Sequence, residues 1–180
     1  MAVTQPSVAT YERIINDPDA TPSRARKWLF FTSLITIPVT LVIVATLDPR
    51  RFGRLGISSL TPILLILTPV LAGLSVLGGM LSALFLHWGA KLVGGDGEYD
   101  KIFFATVAIS CAVAIPSVIL QGIPALSLLS LLLSIYTLIL EVIAIRAVYR
   151  LGVGASCLAT IVIPIIFIIV IVVIVLVFRR

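Results

Sequence analysis

The sequence predicts an all-α polytopic membrane protein, a bundle of five transmembrane helices with an extra short helix or half-span before the second span. Three observations carry this. Hydrophobic residues make up 60% of the 180-residue chain and charged residues only 12%, about half the charged share of a soluble domain. Five apolar runs approach or exceed the roughly 20 residues that a helix needs to cross hydrocarbon. They are Trp28 to Leu47, Pro69 to Trp88, Ile102 to Gln121, Pro124 to Ile145 and Ala155 to Phe178. Finally, none of these runs alternates as a barrel strand must, and lipid admits only helices and closed barrels, because every backbone amide there needs an internal partner.

A soluble domain of this length has too little interior to hide so much apolar surface. The formal charge of +5 does not point to nucleic acid, because the basic residues stand beside span ends and form no patch with interleaved aromatics. Read as topology signals, eight of them fall on the N-terminal side of a five-span arrangement and five on the other side. The protein is expected in the cell membrane, and positive-inside counting predicts a cytoplasmic N-terminus, which five spans pair with a C-terminus on the opposite side.

Residues 1–27 form a polar N-terminal segment, and residues 28–180 a single transmembrane domain. The segment has no leader pattern, so span one is expected to be an uncleaved anchor. Within it, Tyr11 to Ile15 reads either as a short helix on the membrane surface with Ile14 and Ile15 toward lipid, or as an unstructured tail.

The apolar stretch Ile57 to Val93 is too long for one crossing: a straight helix would measure about 55 Å. Pro62 and Pro69 are the expected break points, since each lacks a backbone donor and clashes with the preceding turn. A short helix or half-span before Pro69 and a full span after it follow. On that span Ser75, Gly78, Gly79, Ser82 and Ala83 set small side chains three and four apart. Backbones can approach closely there, within the bundle or in a homo-oligomer, and packing within the bundle is the simpler reading.

The link Val93-Gly-Gly-Asp-Gly-Glu-Tyr-Asp-Lys101 is a turn by composition, with Gly94, Gly95 and Gly97. It follows no strand and lacks the ending of a phosphate loop, so it gives no reason to expect a nucleotide. Gln121 to Pro124 and Leu151 to Gly154 are so short that spans three, four and five must be antiparallel neighbours.

Span four carries Ser127, Ser130, Ser134, Thr137 and Glu141 on one helical stripe. Hydroxyls in hydrocarbon are readily satisfied by the carbonyl four residues back. A carboxyl costs roughly 2.5 kcal/mol or more to insert and usually faces a partner or water. His87, the only histidine, ends span two beside Trp88, an expected interfacial anchor. His87 and Glu141 therefore read as a polar clamp between two helices, or as the start of a relay along the hydroxyl stripe. A single acid with a single histidine favours the clamp. Cys111 and Cys157 lack metal-ligand spacing and read as small fillers. No catalytic set, metal cluster or cofactor site is expected, so the chain is not expected to be an enzyme.

Two segments carry a resemblance. Leu86-His-Trp-Gly-Ala-Lys-Leu-Val-Gly-Gly-Asp-Gly-Glu-Tyr-Asp-Lys-Ile-Phe104 resembles the Yip family of Rab/Ypt-interacting membrane proteins, in which a span ends in histidine and enters a Gly-Gly turn. Ile139 to Ala155, ILEVIAIRAVYRLGVGA, is similar to the family segment joining spans four and five. The resemblance covers roughly Trp28 to Phe178 and implies a five-span fold and a non-enzymatic role organising membrane or membrane-protein partners. The chain lacks the long N-terminal region and DLYGP motif of eukaryotic trafficking members, so Rab binding is not implied. Its compact form looks like the prokaryotic branch. The alternative from the residues themselves is a small transporter or channel subunit using the hydroxyl stripe and Glu141.

Overall fold

The computed structural model describes residues 7–47, 62–63, 66–122, 126–162, 165–166 and 169. Among these the chain is helical, with α1 at Val8–Ile15, α2 at Pro22–Leu47, α3 at Thr68–Leu92, α4 at Tyr99–Gly122, α5 at Ser127–Tyr149 and α6 at Val153–Cys157. A π-helical turn, Leu158–Val162, extends α6. Among the described residues four helices are long and apolar enough to cross a membrane: Pro22–Ile43 within α2, Thr68–Leu92, Tyr99–Leu120 within α4 and Leu128–Tyr149 within α5. These match the first four expected spans. Most of the fifth, and most of the stretch before Pro69, lie outside the described residues.

Local chemistry sets the helix boundaries. Thr21 Oγ1 accepts the amide of Arg24 at 3.3 Å, and Pro22 follows at the first helical position, where its missing amide costs nothing. Pro69 stands likewise in the first turn of α3. At the other end of α3 the amides of Gly95 and Gly94 bond the carbonyls of Ala90 and Lys91, at 2.9 and 3.1 Å. With Gly94 at φ 86° this is a Schellman closure, which needs a left-handed residue that glycine supplies without strain.

Helix α4 is the centre of the bundle. All eight residues from Ile102 to Ile109 are buried, and α4 packs against α1, α2, α3 and α5. The outer faces of α2, α3 and α5 present leucine, isoleucine and valine outward, as lipid-facing surfaces do, so these helices cohere through close packing more than through exclusion of water.

Helix α1 is the short helix expected in the N-terminal segment, but its isoleucines do not face lipid. It packs against α5 and α4; Tyr11 and Ile15 enter the main core cluster, and Ile14 packs on a second cluster around Ala25, Ala83, Phe103 and Phe104. The isoleucines therefore turn inward. Val8, Tyr11 and Ile15 stand three and four residues apart, on one helical stripe, and the bundle offers that stripe an apolar seam.

Gly79 marks the level at which α2 meets α3, because a Cβ there would lie 2.5 Å from Leu29 Cδ2. Beyond it α3 continues for thirteen residues to Leu92, whereas α2 extends only seven back to Pro22. At 1.5 Å per residue the end of α3 overshoots the start of α2 by about 9 Å. The α3–α4 turn and the end of α5 thus form a raised platform on the basic end of the bundle.

Candidate functional site

The platform is organised around Tyr149, the last residue of α5. Its hydroxyl and His87 Nδ1 share a hydrogen bond at 2.6 Å, with the phenol donating when the imidazole is neutral and protonated on Nε2. The ring of Tyr149 lies on the glycine turn. A Cβ on Gly97 would fall 2.6 Å from Tyr149 Cδ1 and 2.7 Å from the Val148 carbonyl, and one on Gly95 would fall 2.9 Å from Tyr149 Cβ. Gly95 and Gly97 are therefore a seat for an aromatic ring. Gly94 has open space around it and serves the turn through its φ alone.

Tyr99 completes the cluster. Its hydroxyl donates to the Met80 carbonyl at 3.1 Å, its ring meets His87 edge-on at 5.9 Å and it stacks on Phe103. The partner that the structure gives His87 is thus Tyr149, and not the Glu141 that charge matching predicts. Tyr149 is eight residues beyond Glu141, about 12 Å along the helix, and so level with His87 on the platform.

Glu141 stands near a different set of groups. Tyr11 is fully buried within electrostatic reach of Glu141 and Tyr136. Burial first, then those two neighbours, pushes its phenol well above the usual tyrosine range. On another side Glu141 lines a cavity of about 320 Å³ together with Ser134, Thr137 and Leu138 of α5 and Val113 and Ser117 of α4. Ser134 and Thr137 donate to the carbonyls of Ser130 and Leu133 at 2.9 and 2.8 Å. Part of the predicted stripe therefore does share one cavity, with its hydroxyl protons already engaged. The Ser127 side chain lies outside the described residues.

The small-residue face of α3 divides. Gly79 meets Leu29 of α2, and Ala83 is buried in the cluster with Ala25 and Phe103. Ser75 bonds the Leu71 carbonyl at 3.0 Å, whereas Gly78 and Ser82 are exposed. Cys111 and Cys157 are half-buried free thiols, and no group of acids, histidines and cysteines among the described residues has metal-binding proximity.

A second cavity, of about 400 Å³, opens on the platform itself. The turn contributes Gly94, Asp96, Gly97 and Glu98, α4 adds Lys101, and the end of α5 with its link adds Val148 to Leu151. Arg150 adopts the left-handed conformation there, φ 54° and ψ 32°, which turns the chain from α5 toward α6. Sequence reasoning missed Tyr149 and Tyr11. For Tyr149 the signal was the Gly-Gly-Asp-Gly spacing, which leaves room for a flat ring; for Tyr11 it was the stripe with Val8 and Ile15.

The Yip1 domain model matches residues 2–176, almost the whole chain and including α1. No curated protein and no solved structure matches the chain. A match of that extent, over a helical bundle with several membrane-spanning helices, settles the family: the chain belongs to the Yip1 domain family of membrane proteins.

Proposed function

We infer that this protein is a non-enzymatic organiser of membrane or partner proteins, acting through the platform at the basic end of its bundle. The observation that carries the reading is the 400 Å³ cavity with Asp96, Glu98, Lys101 and Arg150 around a wall fixed by Tyr149. A charged, solvent-facing recess on a rigid support is suited to holding a segment of another protein. The side chains most able to do chemistry, His87 and Tyr99, are engaged in holding that support together.

Five spans, the platform facing the cytoplasm of the cell membrane and the C-terminus on the opposite side complete the proposal. It is supported by the basic residues Arg24, Arg26, Lys27, Lys91, Lys101, Arg146 and Arg150, which belong to this end of the bundle. Trp28 and Trp88 are partly exposed at the same end, as anchors at an interface are.

Reconstitution of the purified protein in liposomes tests the reading against transport. No ion or solute flux above empty liposomes is expected. A flux abolished by Glu141→Gln would overturn it.

A further inference from the structure

We propose that the cavity between α4 and α5 beside Glu141 is a lateral binding site for the head of a single-chain primary-amine amphiphile, entered from the bilayer. Its lining determines the chemistry. Ser134 and Thr137 have given their protons to backbone carbonyls one turn back, so toward the cavity their oxygens can only accept. Glu141 as a carboxylate is likewise acceptor-only. Ser117, on the α4 wall, adds a hydroxyl oxygen that can accept as well. A site so rich in acceptors, with one negative charge, is complementary to a group with several N–H donors and one positive charge, which is an alkylammonium.

The rest of the lining narrows the occupant further. Among the described residues no lysine or arginine lines the cavity, so the phosphate of an aminophospholipid would be buried there without a counter-charge. Val113 and Leu138 supply apolar wall for the first carbons of a chain. Leu138 and Ser134 are exposed on the outer side of the bundle, where the cavity opens toward lipid. Glu141 lies five residues before Arg146, about 7 Å along the helix from the interface, a depth that an amine head tethered to one chain can reach. An acid at that depth is stabilised by a cation that stays with it.

The test uses the full-length protein in nonionic detergent, with native mass spectrometry as the readout. Dodecylamine is the probe; dodecyltrimethylammonium, which has the charge without N–H donors, and neutral dodecanol are the comparators. One saturable dodecylamine adduct per chain is expected, at least tenfold tighter than either comparator. Glu141→Gln is expected to weaken it at least tenfold. Val113→Trp, which fills the cavity and keeps the acid, is expected to do the same, and decides alone if Glu141→Gln yields no folded protein. Gly78→Ala, in α3 and away from both cavities, adds a methyl that meets nothing within 4 Å and should bind as wild type. Binding of dodecylamine no tighter than a comparator, or unchanged in Val113→Trp or in folded Glu141→Gln, would overturn the proposal.

Discussion

His87 Nδ1 lies 2.6 Å from the Tyr149 hydroxyl, tying the end of one membrane-spanning helix to the end of another across a glycine turn. The bond belongs to two helices far apart in sequence, so it bears on tertiary stability alone. Removing only the hydroxyl with Tyr149→Phe should cost about 1 kcal/mol and lower the melting temperature by about 3 °C. His87→Phe combined with it should cost less than the two changes separately, because they delete the same contact. Thermal melts of the four proteins in one detergent check this.

A glycine of the turn and a glycine of α3 should respond in opposite ways. Gly97→Ala places a Cβ 2.6 Å from Tyr149 Cδ1 and 2.7 Å from a backbone oxygen that cannot move aside. A loss of about 1–3 kcal/mol is expected, as for other overpacked positions. Gly78→Ala in α3 meets nothing within 4 Å and should be neutral or stabilising by up to about 1 kcal/mol. The same melting assay compares them.

Tyr11 ties the N-terminal helix to the bundle. Tyr11→Ala empties a fully buried site and should cost about 3–5 kcal/mol. Trp88→Ala, at a position half-exposed at the bundle's edge, should cost far less. Amide exchange over residues 8–15 should rise sharply in the first variant and stay protected in the second.

The raised Tyr11 pKa gives a pH dependence with a definite sign. Its folded value lies above the ordinary one of about 10, so below that pH the phenol is neutral in both states and its contribution is complete. As pH climbs past about 10 the unfolded state ionises first, and stability is lost. Melting temperatures in detergent should fall less steeply above about pH 10 in Tyr11→Phe than in wild type, and should follow the wild-type trend from pH 7 to 9.

Hydropathy made the first four spans legible, because a helix that must bury its backbone polar groups in lipid announces itself by length and composition. The starts at Thr68 and Ser127 fall within a few residues of the expected ones. What hydropathy does not encode is the register between helices. Glu141 was matched to His87 by charge, yet α3 and α5 align so that Tyr149 faces it. A tyrosine near a helix end reads as an interfacial anchor, and only the small turn residues opposite indicate that it is inside. The inward packing of the N-terminal helix was hidden by polar neighbours: Glu12 and Arg13 are exposed, and they outweigh the inward stripe of Val8, Tyr11 and Ile15 in any composition average.

Site-directed photo-crosslinking in native membranes decides whether the platform is a docking face. Benzoylphenylalanine replaces Asp96 in the platform cavity or Leu131 on the outer face of α5 in otherwise wild-type protein. One discrete protein adduct is expected from position 96, lost on Arg150→Glu, and lipid adducts alone from position 131. Equal protein capture from both positions, or none from position 96, would contradict it.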